Sequence, residues 1–141
     1  MLEVYYTHVS FPAVPDAPEA PKVTEIFKDK STVAWQPPSK DGGSPITGYT
    51  VERMSDISSR WISVTKTPIA TTTVEDKELA EGTVYQYRVT AHNKAGPSKP
   101  SKPSEPAKAK DPWGNTDNTN MINIYLPARF QQLSTMSIKN L

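Results

Sequence analysis

The sequence predicts an all-β fold, two antiparallel sheets packed face to face and built from seven short strands. Three observations carry this. From Val23 onward, apolar and polar residues alternate at period two. Clusters of Gly, Pro, Asn and Asp interrupt the alternation about every 8–12 residues. The chain holds 14 prolines in 141 residues, about twice ordinary usage. Proline breaks helices and interior strands, so this density favours turns, edge strands and extended linkers.

The chain divides into three zones: an irregular lead-in over 1–14, a folded module over 15–109, and a linker with a mostly disordered tail over 110–141. In the lead-in, Leu2, Val4 and Tyr6 fall on one face of a strand-like pattern that is unstable unless it pairs with the sandwich. Pro15, Pro18 and Pro21 then recur every third residue, the spacing of a polyproline II segment. A first strand over 22–27 carries Val23 and Ile26. The next, Ser31–Gln36, turns Val33 and Trp35 to one face and stops at Pro37-Pro38. Gly42-Gly43 permit positive φ in the loop that follows, and Pro45 fixes the return.

The third strand, ITGYTVERM, places Tyr49 and Val51 together. A fourth, around RWISVT, sets Trp61 opposite Ile62 and Val64 and ends at Pro68. ATTTVED (70–76) has the threonine content that pleated surfaces favour. Tyr85, Tyr87, Val89 and Ala91 then point one way, and Gln86, Arg88, Thr90 and His92 the other. A two-sheet sandwich needs such a half-buried strand. Asn93–Pro97 turns into a last strand with Pro97, Pro100, Pro103 and Pro106, which only a sheet edge tolerates.

Two stretches carry a resemblance. Trp35 to Arg53 reads WQPPSKDGGSPITGYTVER, and Leu79 to Ser104 reads LAEGTVYQYRVTAHNKAGPSKPSKPS. Together they resemble a fibronectin type III domain, an immunoglobulin-like sandwich, of the kind found in titin, twitchin and myosin-binding protein C. Trp35, Tyr49 with Val51, and Leu79 with Tyr85 match the general family pattern. The loop Pro37–Tyr49 and the turn Ala91–Pro100 match the narrower muscle pattern. The resemblance covers about 15–113 and neither end.

The resemblance implies a core of Trp35, Tyr49, Val51, Leu79 and Tyr85, to which the alternation adds Tyr87 and Val89. It implies that Tyr85 is a tyrosine corner, with its ring inward and its hydroxyl on upstream backbone. It also implies a structural repeat module of a giant muscle protein: a mechanical spacer and scaffold in the cytoplasm, at the sarcomere or myofibril. Its partners would be myosin or neighbouring immunoglobulin and fibronectin modules. The other reading is a module of an adhesion protein or receptor. Neither an R-G-D triplet nor a W-S-x-W-S motif supports it, and the N-terminus does not read as a signal peptide.

Composition excludes several chemistries. Without cysteine there is no disulfide, thiolate nucleophile or cysteine-held zinc. A net charge of +1 gives no bulk pull toward nucleic acid or acidic lipid. His8 and His92 lie far from each other and from any paired carboxylates, so His92 reads as a solvated surface residue. Asp41–Ser44 lacks the Gly-Lys-Ser/Thr ending of a phosphate loop and reads as a turn. Glu75, Asp76 and Glu78 read as a solvated acidic loop rather than a calcium site. We expect no catalytic, cofactor or metal site and no small-molecule substrate. The proline run is compatible with a polyproline ligand, but an edge strand would occlude it. Trp61 with Arg60 and Arg88 forms the candidate partner surface, because aromatics beside arginine are enriched at binding hot spots. Arg53 is a further candidate for that patch.

Overall fold

The computed structural model describes residues 2–4 and 10–112. The sequence expectations for the tail beyond Pro112, and for Tyr5–Val9 of the lead-in, fall outside those residues. Eight strand pieces follow one another: β1 (Lys22–Ile26), β2 (Ser31–Ala34), β3 (Gly48–Ser55), β4 (Ser58–Ser63), β5 (Thr73–Asp76), β6 (Val84–Asn93), β7 (Gly96–Pro97) and β8 (Ala107–Lys108). One sheet runs β1-β2-β5. The other runs β4-β3-β6-β7, and β8 also pairs with β6. Every pairing is antiparallel. This is the all-β sandwich that the alternation predicts.

The hinge of the fold is the unbroken β3–β6 pairing, from Gly48 opposite His92 to Ser55 opposite Tyr85. Along β6 every second side chain is buried: Tyr85, Tyr87, Val89, Ala91 and Asn93. Tyr85, Tyr87, Val89 and Ala91 share a core with Tyr49 and Val51 of β3, Val33 of β2, and Trp35. Leu79 is partly buried and packs against this cluster. Trp35 is 4% exposed and stands edge-to-face on Tyr49, with ring centroids 5.6 Å apart. Burying one such ring contributes roughly 1.5–3 kcal/mol by area.

Several boundaries differ from the sequence expectation, each for a local reason. The second strand ends at Ala34, although the Trp35 amide still donates to Thr72 O at 3.0 Å. The threonine-rich strand is regular only over Thr73–Asp76. Upstream of it, Ile69 bridges Tyr49 in the opposite sheet, so 70–72 cross from one layer to the other. That crossing explains Gly48, where a Cβ would come within 2.8 Å of the Pro68 side chain. The last strand survives as two short pieces because its prolines cannot donate to a ladder. Seven expected strands thus become eight pieces.

Candidate functional site

The outward face of the larger sheet carries Thr50, Glu52 and Met54 from β3, Arg88, Thr90 and His92 from β6, and Trp61 from β4, all half-buried. Glu52 lies directly opposite Arg88. The Arg88 Nε–H donates to Glu52 Oε2 at 2.6 Å, and the guanidinium lies over the Trp61 ring, 4.4 Å from its centroid. Stacking and ion pairing together fix Arg88 flat on the sheet. Arg60 is exposed, and strand alternation turns it to the opposite side from Trp61. The structure therefore joins two of the three candidate surface residues, Trp61 and Arg88.

Arg53 does not join that patch. It reaches between the sheets, where its Nη1 donates to Asp76 Oδ1 at 2.6 Å, and the Asp76 side chain is only 3% exposed. The sequence expectation of a solvated acidic loop fails at Asp76 because its register on β5 faces the interior opposite Ser31. Tyr87 Oη donates to Asp76 Oδ2 at 3.1 Å, and Ser31 Oγ lies 2.7 Å from the same phenol oxygen. Burial drives the Tyr87 phenol well above its ordinary value; Asp76 adds to this, against the opposing pull of Ser31 and Arg53. Burial opposes the charge on Arg53, but the Asp76 hydrogen bond and charge outweigh it and hold the guanidinium above its ordinary value. Three polar links thus cross the sandwich: Ser31 to Tyr87, Tyr87 to Asp76 and Asp76 to Arg53.

His92 is half-buried rather than solvated. Its Nε2 lies 2.9 Å from Thr50 Oγ1, and burial lowers its pKa. Tyr85 accepts a hydrogen bond on its hydroxyl from the Ala80 amide at 2.9 Å, five residues upstream. Among the described residues, no group of three or more His, Cys, Asp and Glu could hold a metal ion.

Asn93 is a hub that the sequence reading passed over. Its Nδ2 donates to Ala13 O and to Asp41 O, both at 2.7 Å. Its Oδ1 accepts from the amides of Ala95 and Gly96. The lead-in, the Pro37–Ile46 loop and the Asn93–Pro97 turn are thereby tied at one point. The Ala13 amide also donates to Gly42 O at 2.8 Å. Gly42 has φ +77, and a Cβ there would lie 2.1 Å from Ala13 O. The glycine in this signature loop lets the incoming chain lie against it.

The run after β7 shows a second unforeseen pattern. Ser98, Ser101 and Ser104 are buried, while Pro97, Pro100, Pro103 and Pro106 are exposed. The prolines are not occluded, contrary to the sequence expectation. However, three residues of the run advance for every two of β6, so neighbouring prolines stand roughly 6.6 Å apart along the sheet. A polyproline II helix spaces them about 9.3 Å apart. A groove built for that helix does not fit the run as it is folded.

A cysteine-free, two-layer sandwich with a tyrosine corner and a buried strand-end tryptophan defines an immunoglobulin-like structural module. The Fibronectin type III domain profile matches residues 16–107, and the chain belongs to that family. It is 46% identical over 86 residues to cardiac-type myosin-binding protein C of Gallus gallus, covering 61% of this chain and 7% of that protein. The crystal structure of domains A168-A170 from titin superposes with a TM-score of 0.67 at 41% identity, covering 71% of this chain and 34% of that one. The twitchin kinase region from C. elegans gives a TM-score of 0.64 at 32% identity, over 70% of this chain and 17% of that one. The chain thus spans a small fraction of the curated relatives it matches.

Proposed function

We propose that this chain is a structural and protein-interaction module of a giant sarcomeric muscle protein, acting as a mechanical spacer and binding scaffold rather than an enzyme. One observation carries the mechanical part: the chain enters and leaves at opposite poles. Ala13 is bonded beside Asn93, at one end of β6. At the other end, the Ala109 amide donates to Thr83 O and the Gly82 amide donates to Ala109 O. The ten residues of β6 separate these poles by roughly 30 Å.

Tension between the poles draws β1 along β2 and the terminal run along β6. Antiparallel hydrogen bonds lie across the strands, so the pull loads them together instead of opening them one at a time. The unfolding barrier then governs mechanical lifetime. The folded unit under load runs from about Ala13 to Asp111, since Asp111 is tied back to Lys28 by a side-chain ion pair at 3.4 Å and accepts its amide. Single-molecule pulling tests this reading. Yielding at forces no greater than those that straighten an unfolded chain would refute it.

The likeness to myosin-binding protein C and to titin supports a place in the myofibril, with myosin or adjoining immunoglobulin and fibronectin modules as partners. The Trp61–Arg88 face is the proposed docking surface; Arg60, turned to the other side of β4, lies outside it. Trp61→Ala should weaken binding to purified myosin at least tenfold with little loss of stability. Unchanged binding would remove this face from the proposal.

A further inference from the structure

The terminal run repeats itself in both sequence and bonding. Pro97-Ser98-Lys99, Pro100-Ser101-Lys102 and Pro103-Ser104-Glu105 are near-identical triplets. The amides of Ser98, Ser101 and Ser104 donate to the carbonyls of Ala91, Val89 and Tyr87, at 2.8, 2.8 and 2.7 Å. Their hydroxyl oxygens accept from the amides of the same three residues, at 3.0, 2.9 and 2.9 Å. Each hydroxyl then donates to the carbonyl of the next residue in its own run. One serine thus satisfies both backbone groups of one inward-facing β6 residue, and the pattern is periodic.

A periodic contact has more than one register. Sliding the run by one triplet toward the exit pole sets Ser98 on Val89, Ser101 on Tyr87 and Ser104 on Tyr85. A shift of two residues along β6 preserves both the side-chain face and the direction of its backbone groups. The prolines have no amide to place in either register. Lys99, Lys102 and Glu105 are exposed, so no buried charge opposes the move.

We propose that this run is a slip strand that moves by a single notch under tension, lengthening the folded module by about 6.6 Å before the sandwich unfolds. The inference rests on the mechanical reading above. Turn length sets the single notch. From Asn93 to Ser98 are five Cα steps, which reach about 17 Å when extended. In the native register their separation is roughly 8 Å, counting two residues along β6 and one strand spacing. One notch raises it to roughly 14 Å, within reach, and two raise it to roughly 20 Å, beyond it.

Asn93 is the latch. Its Oδ1 closes the turn through the Ala95 and Gly96 amides at 2.9 and 3.2 Å, and one notch requires both bonds to break. At the exit pole, slipping withdraws fully buried Ala109 and unpairs Ala107 and Lys108 from β6. Those losses keep the native register dominant without load.

The test holds the whole chain by its two ends in optical tweezers. The expected record is a reversible lengthening of about 7 Å at a force below global unfolding. Asn93→Ala should lower the force of that step at least twofold and leave its length unchanged. Deleting Lys94 and Ala95 cuts the reach of the turn to roughly 10 Å and should abolish the step. A persistent step in the shortened chain would overturn the proposal. So would all-or-none unfolding in both wild type and Asn93→Ala, the comparison that decides if the deletion fails to fold. High-force unfolding without the short step overturns the slip and leaves the spacer reading standing. Collapse at chain-straightening force overturns both.

Discussion

Replacing Asp76 with alanine removes one acceptor from three donors at once. Oδ1 accepts from Arg53 Nη1 at 2.6 Å and from the Glu78 amide at 3.2 Å, and Oδ2 accepts from Tyr87 Oη at 3.1 Å. The Arg53 side chain is only 14% exposed, so its charge stays largely buried without its partner. Breaking a buried pair in this way costs roughly 3–5 kcal/mol. Arg53 has a fallback, because Glu78 Oε2 lies 3.5 Å from Nη2 on a side chain that is 85% exposed. That places the cost near the low end, at about 3 kcal/mol, a large share of the roughly 5–15 kcal/mol that stabilises a domain. Urea unfolding followed by tryptophan fluorescence reads this directly. At a slope of about 1.5 kcal/mol per molar, the midpoint should fall by about 2 M. Arg53→Met with Asp76→Leu should recover most of the loss, since an apolar pair of similar size replaces a buried ion pair at little cost. A single Asp76→Ala change that shifts stability by less than about 0.5 kcal/mol would refute the buried-link reasoning.

Three other outcomes are expected. Tyr85→Phe leaves the Ala80 amide without its acceptor at 2.9 Å and should destabilise by about 1–2 kcal/mol; no change in the urea midpoint would mean the corner bond contributes nothing. Gly42→Ala forces a side chain into left-handed backbone 2.1 Å from Ala13 O, so it should cost about 2–4 kcal/mol and expose the Ala13 amide to rapid hydrogen exchange, which intact protection would contradict. Burial lowers the pKa of His92, so the unfolded chain takes up that proton first as pH drops below about 6.5. The stability given by neutral His92 is complete above that pH and lost as pH falls through the folded-state value. His92→Gln should flatten this slope, and parallel pH profiles for the two chains would exclude it.

The sheets were legible because period-two alternation survives wherever one face is buried. Along β6 no inward position breaks the pattern from Tyr85 to Ala91. What the alternation does not encode is which polar side chains the interior accepts. Asp76 sits in an acidic stretch that reads as loop, and only its pairing opposite Ser31 reveals that it faces inward. Arg53 is no different in residue type from the surface arginines; its place on β3, over the Tyr85 ring, turns it inside. A signal did exist for Arg53, since it shares parity with Tyr49 and Val51, and inward parity assigns its charge to the core. The candidate surface was legible in part. Trp61 and Arg88 share a face that alternation gives, whereas their contact depends on the register of β4, β3 and β6, which no local pattern records.

The same limit explains why the signature loop looked like a turn and nothing more. Gly42 and Asn93 lie 51 positions apart in the chain, yet Asn93 Nδ2 spans Asp41 O and Ala13 O. A side-chain amide offers two donors and an acceptor on one rigid plane, which suits it to join three backbone segments. Serine or aspartate at 93 would supply only part of that set. Asn93 thus ties the last turn to the incoming chain, which the Ala13 amide on Gly42 O and the Asp16 amide on Lys40 O also fasten. Loosening Asn93 should weaken both attachments at the entry pole. The loop and turn that carry the likeness to the muscle modules thus meet where the incoming chain is fastened, while the core residues match the general family pattern.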